Sequence, residues 1–143
     1  MLSEVTPAQI IEALGLAPHP EGGHYRETWR HDDGEERGAG TSIYYLLQAG
    51  ERSHWHRVDA AEIWHFYGGA PLELLTCADG GAVVREVLGP QILRGELPQI
   101  IVAANRWQSA CSLGDWTLVG CTVSPAFDFD HFELAPKGWS PGF

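Results

Sequence analysis

Between Gly50 and Gly69 the chain runs Gly-Glu-Arg-Ser-His-Trp-His-Arg-Val-Asp-Ala-Ala-Glu-Ile-Trp-His-Phe-Tyr-Gly-Gly. His54 and His56 are two residues apart, so on a strand their side chains project from one face. A short turn through Asp59-Ala60 leads into a second strand that opens near Glu62. Two imidazoles and a carboxylate then converge from neighbouring strands. Such a set serves general acid–base chemistry, with His54 or His56 as base. It also suits a divalent ion, since zinc, nickel, iron and manganese all accept imidazole and carboxylate ligands.

Further residues gather around this segment. A Glu62 that faces inward needs a partner, because an isolated carboxylate among apolar groups is costly; His56, Arg57 and a metal are the candidates. His65 has the opposite parity to Glu62 and points away. Tyr25, Glu27 and Trp29 share one face of an earlier strand, and Tyr25 offers a hydroxyl acid or base. Trp64 and Trp107 stand beside the presumed pocket residues and suit either an aromatic ligand wall or the core. Asp128, Asp130 and His131 alternate with Phe127, Phe129 and Phe132, which favours a loop plugging one end of the fold over a second metal site.

The elements that must hold these residues are mostly strands. One short helix comes first: Thr6 is its N-cap, Pro7 its first residue, Gln9 completes a capping box and Gly15 ends it. Val5 and Ile10 occupy the positions of a hydrophobic staple. Tyr25–Arg30 alternates as a strand, and residues 31–40 are polar and Gly-rich, as in a mobile loop or flap. Strands are then predicted over Thr41–Gln48, Ser53–Val58, Glu62–Tyr67, Leu72–Cys77, Ala82–Leu88, Gln99–Ala103, Trp107–Ser112, Trp116–Ser124 and His131–Leu134. Ala78-Asp79-Gly80-Gly81 is a hairpin turn. Many strands at this spacing, with no long helix between them, indicate an antiparallel sandwich or barrel. With no repeat or linker in 143 residues, one domain over residues 1–143 is expected.

Composition removes other classes. Nine basic residues against nineteen acidic ones give a net charge of −10, and Lys137 is the sole lysine. No basic stripe is available to neutralise phosphates, so nucleic acid is not an expected partner. The longest apolar run, Ile100 to Ala104, is far short of a membrane span, and the first residues carry no signal-peptide pattern. Cys77, Cys111 and Cys121 lack zinc spacing and lie in apolar stretches, as reduced thiols in a cytoplasmic protein do.

The order Gly, His-x-His, Glu, Gly resembles the first motif of the cupin superfamily, in which a hairpin lines the mouth of a small barrel. The gap from Gly50 to His54 is shorter than in that motif, and the gap from His56 to Glu62 is longer. Ala103-Ala104-Asn105-Arg106-Trp107-Gln108 resembles the second motif, with Asn105 at a positive-φ turn and Gln108 where a histidine is usual. Five blocks, Pro20–Thr28, Ser53–Val58, Glu62–Tyr67, Pro71–Leu74 and Val119–Phe129, resemble the DUF985 (cupin-5) family in order along most of the chain. The resemblance implies an all-β, cupin-type double-stranded β-helix, an RmlC-like jelly-roll barrel with a short N-terminal helix. It also implies a homodimer.

Three functions are consistent with these residues. The first is a metal-independent isomerase or epimerase acting on a small polar, sugar-like metabolite. His54, His56 and Tyr25 would be its catalytic residues, and Glu62, Trp64, Trp107, Gln108 and Arg57 would bind substrate. The second is a metal enzyme whose ion is held by His54, His56, Glu62 and Gln108. The third is a ligand-binding module without turnover. Gln108 is a poor ligand beside imidazoles, so any nickel, zinc, iron or manganese is expected to bind weakly and no firm cofactor is expected.

Overall fold

The structure, a computed structural model, describes residues 4–32, 34 and 37–141. Helix α1 (Pro7–Leu14) is followed by β1 (Ala17–Pro18), β2 (His24–Arg30), β3 (Thr41–Gln48), β4 (Ser53–Val58), β5 (Ala61–Gly69) and β6 (Leu72–Cys77). The chain continues through β7 (Val84–Leu88), β8 (Gln99–Val102), β9 (Trp107–Ser112), β10 (Trp116–Ser124) and β11 (Phe132–Leu134). Short 3-10 turns lie at Ile92–Arg94 and Phe129–His131. One sheet has the order β1-β2-β3-β10-β5-β8 and the other β11-β4-β9-β6-β7. Every pairing between these strands is antiparallel. This is the expected jelly roll. Among the described residues no helix is long and apolar enough to cross a membrane.

The helix forms for the local reasons its sequence gives. Thr6 Oγ1 accepts from Gln9 N–H at 3.2 Å, and Thr6 N–H donates to Gln9 Oε1 at 2.9 Å. A cap of this kind stabilises by about 1 kcal/mol. Its apolar side, with Ile10 buried, packs on Leu46, Trp116 and Leu118 outside the six-stranded sheet. Between the sheets lies the main core, built from Tyr45, Leu47, Trp64, Leu72, Leu74, Leu88, Ile100, Val102 and Val119. The outer face of the five-stranded sheet carries its own cluster of Trp55, Cys77, Trp107 and Ala135, with Trp139 packed against it.

Two register shifts decide what faces the interior. In β4 against β9, Ser53 pairs with Ala110 and His56 with Gln108, so β4 holds one residue more than its partner. In β2 against β3, Glu27 pairs with Ile43 and Trp29 with Ser42, again one residue extra. A bulge of this kind reverses the alternation beyond it. Trp29 therefore does not share the face of Tyr25 and Glu27; it is 52% exposed, and Arg30 turns inward instead. The Gly-rich segment after β2 includes residues 33, 35 and 36, which lie outside the described residues. Its far end is tied down by Arg37, which donates to Ala126 O at 2.8 Å and pairs with Asp59 at 2.7 Å.

Candidate active site

The chain between β1 and β2 makes a tight turn in which His19 N–H donates to Gly23 O and Gly22 N–H to His19 O. Gly22 has φ +115°, and a Cβ there would lie 2.2 Å from Arg52 O, so only glycine lets the turn lie against the entry to β4. His54 N–H donates to Glu21 O at 2.8 Å and fixes the same approach. The turn thereby delivers Glu21 into the barrel, where it is 8% exposed. Glu21 Oε2 accepts from Ser53 Oγ at 2.8 Å and lies 2.6 Å from His56 Nδ1. His19 Nδ1 accepts from Glu21 N–H at 3.1 Å, which leaves the proton of the neutral ring on Nε2, 3.4 Å from Glu21 Oε1.

His56 is 3% exposed, and its Nδ1 also lies 2.7 Å from His54 O. Both neighbours of Nδ1 are acceptors, so Nδ1 carries a hydrogen and Nε2 is the nitrogen left for chemistry. Across the interior, Gln108 on β9 is fully buried between two residues of β5. Its Nε2 donates to Glu62 Oε1 at 2.9 Å, and its Oε1 accepts from Trp64 Nε1 at 2.8 Å. These two bonds fix the amide's orientation. The Cys121 thiol lies against the same Glu62 carboxyl.

Glu21, His56, Glu62 and Cys121 floor a cavity of about 60 Å³. Tyr25 and His19 stand at one side, with their rings 4.3 Å apart. Phe127, Phe129 and Phe132 also line it, packed edge to face at 5.0 to 5.7 Å, with the Phe129 ring 6.4 Å from that of His19. They form the expected plug, while Asp128 binds His131 beside it. Glu27 and Arg30 also border the cavity, joined by two hydrogen bonds of 2.8 and 2.7 Å.

Electrostatics in the cavity separates its two main groups. Burial alone would drive the His56 proton off, but the charge and hydrogen bond of Glu21 outweigh it and raise its pKa to about 9. Burial raises Glu62 to about 7, against the pull of His56 and with the help of Glu21's negative charge. Glu21 itself goes below the usual carboxylate value: burial opposes this, but His56, His19 and Ser53 prevail. His19 is lowered, chiefly by burial, and stays neutral near pH 7.

The sequence expectations divide accordingly. His56, Glu62 and Tyr25 line the cavity, and Gln108 stands behind Glu62. His54 does not join them. The extra residue in β4 places it out of step with His56, and its ring Nε2 lies 3.0 Å from Pro136 O in the C-terminal segment. Trp64 is core, at 1% exposed. Trp107 and Arg57 sit on the outer face, because they alternate with Gln108 and His56. The Arg57 guanidinium stacks 4.4 Å over the Trp107 ring and pairs with Glu133 at 2.9 Å. Glu21, His19, Cys121 and Arg30 are not among the predicted site residues. The only sequence signal for Glu21 is the Gly22-Gly23 pair after it, which marks a close backbone approach.

The donor set does not fit a divalent metal. Of the two expected imidazoles only His56 reaches the cavity, the second ring there, His19, spends its Nδ1 on the Glu21 N–H, and both ends of the Gln108 amide are engaged by Trp64 and Glu62. Among the described residues no group of three or more His, Cys, Asp or Glu side chains is arranged to hold an ion.

The family model described as Cupin superfamily (DUF985), Cupin_5, matches residues 8–135. The chain belongs to the Cupin_5 family. Two solved structures resemble this Cupin_5 chain over nearly its whole length. A protein from Shewanella oneidensis is 37% identical, with 92% of this chain and 85% of that one covered and a TM-score of 0.87. A hypothetical protein from Leishmania major is 32% identical, covering 92% and 88%, with a TM-score of 0.84. Oxalate decarboxylase from Bacillus subtilis shares the fold at 14% identity and TM-score 0.65; the match covers 82% of this chain and 29% of the decarboxylase. No curated protein matches this Cupin_5 chain in sequence.

Proposed function

We propose that this cupin is a metal-independent isomerase that moves a proton next to a carbonyl group in a small molecule. One observation carries the reading: a buried carboxyl held near pKa 7 and a buried imidazolium held near 9 share one cavity. Groups whose surroundings push them apart in this way divide naturally into base and acid. Glu62, half ionised near neutrality, removes the proton from the carbon beside the carbonyl. The C–H electron pair becomes the enolate double bond, and the charge moves onto oxygen. His56 donates its Nε2 hydrogen to that oxygen, while Glu21 keeps the ring cationic and oriented. Glu62 then returns its proton to the former carbonyl carbon while the hydroxyl on the adjacent carbon gives its hydrogen back to His56 Nε2 and becomes the new carbonyl, so both groups end as they began. This differs from the sequence expectation: Glu62, expected to bind substrate, is the base; His56, expected as a base, is the acid beside Glu21; and His54 and Tyr25, expected to be catalytic, take no part in the step.

Dialysis against a mild chelator, then incubation in D2O with dihydroxyacetone and other small α-hydroxy ketones, the aryl ketone 2-hydroxyacetophenone among them, tests the reading by proton NMR. Deuterium is expected at the carbon beside the carbonyl, and Glu62→Gln is expected to slow its entry by about 10²- to 10⁴-fold. Equal exchange in Glu62→Gln, or no exchange with any of these compounds, would overturn the isomerase and leave a ligand-binding module. Exchange that needs added nickel, zinc, iron or manganese would restore the metal enzyme.

A further inference from the structure

We infer that the substrate of this cavity is an uncharged carbonyl compound whose apolar body lies on the Phe127–Phe129–Phe132 face. The inference rests on the isomerase reading and replaces the expected sugar-like substrate with an amphiphilic one. Both cations at the cavity are already matched by acids. Arg30 offers Nε and Nη2 to Glu27 at 2.8 and 2.7 Å, and His56 lies 2.6 Å from Glu21. The third acid, Glu62, has no cation of its own and takes a neutral amide N–H from Gln108.

A substrate carboxylate or phosphate would therefore face Glu62 with no free cation among the described residues lining the cavity to receive it, after giving up its water. An ammonium group would be drawn to Glu62 and would occupy the base. A neutral head escapes both penalties and still accepts the His56 hydrogen. Three phenylalanine rings, with Ile43, Val58 and Val123, make most of the remaining lining, and the Thr41 hydroxyl among them already accepts from Phe127 N–H at 3.0 Å. Phe132 also packs 5.7 Å from the His56 ring, so a substrate whose oxygen reaches His56 must lay its adjoining atoms along this ring. With about 60 Å³ inside, only the reacting end is enclosed, and the body lies toward Phe129, which is 51% exposed.

Titration calorimetry with four probes tests this on the wild-type chain: acetophenone, benzoate, benzylammonium and dihydroxyacetone. Acetophenone is expected to bind at least about tenfold tighter than each of the others, since it alone joins a neutral carbonyl to an apolar ring. Phe129→Ala, at a half-exposed site whose loss the core tolerates, is expected to weaken acetophenone about three- to tenfold. Glu62→Gln is expected to narrow the gap between acetophenone and benzoate. Benzoate, benzylammonium or dihydroxyacetone binding as tightly as acetophenone would overturn the inference. So would an unchanged acetophenone affinity in Phe129→Ala, or no acetophenone binding at millimolar concentration. The two readings fail separately. The expected preference without any proton exchange removes the isomerase alone, whereas exchange of dihydroxyacetone that acetophenone does not inhibit removes this inference alone.

Discussion

A buried imidazolium keeps its proton only while a carboxylate faces it, and Glu21 is that carboxylate for His56. The consequence for pH follows from the signs. His56 is raised from 6.5 to about 9, so its contribution to stability is fully present below pH 6.5 and is lost as pH rises through 9. Glu62 is raised from 4.5 to about 7, so its contribution is present below pH 4.5 and is lost as pH rises through 7. Glu21, lowered, acts oppositely and loses its contribution as pH falls below its ordinary value. Urea unfolding is thus expected to show stability declining from about pH 5 to pH 9. In Glu21→Gln the His56 ring protons, followed by NMR, are expected to titrate at lower pH than in wild type. An unmoved titration would show that Glu21 does not hold the charge. At this scale the sequence disclosed His56 and Glu62, because their types and spacing are those of a site. It did not disclose Glu21, one of nineteen acidic residues, because its role depends on a turn folded against a distant strand.

Elements were more legible than their registers. The boundaries expected for β3, β4, β6, β9 and β10 match the structure residue for residue, since alternation and turn residues are local signals. The bulges in β2 and β4 are not local. They arise from pairing with β3 and β9, and each moves one predicted residue, Trp29 and His54, off the inner face. Position 22 tests how far the site depends on such backbone fit. Gly22→Ala places a methyl group 2.2 Å from Arg52 O at a positive φ, so the turn carrying Glu21 must shift. We expect a loss of about 2 kcal/mol or more in chemical denaturation, accompanied by the same downward move of the His56 titration. Gly50→Ala, also at positive φ but with open space around it, is the control for backbone strain alone. Equal effects in the two variants would show that the contact with β4 does not matter.

For the molecule as a whole, a homodimer is proposed. Trp29 at 52%, Tyr67 at 46% and Ile101 at 69% exposure are large apolar groups on the six-stranded sheet, and β8 is one of its two edges. His65, which points away from the cavity, is bonded on this sheet to Thr122 at 3.0 Å. Light scattering at micromolar concentration is expected to give twice the 15.7 kDa of the chain, and a mass of one chain would remove the proposal. The Gln108 amide has a mechanical consequence as well. It belongs to the five-stranded sheet, and both of its partners, Glu62 and Trp64, belong to the six-stranded one. Ser53 and Glu21 make a second tie from β4 to the turn that opens β2. The two layers therefore cannot breathe apart at this end without exposing a carboxyl, an indole and an amide together. Backbone amides of β5 and β9 should exchange with solvent as one slow unit, so that the polar centre serves also as the hinge pin of the sandwich.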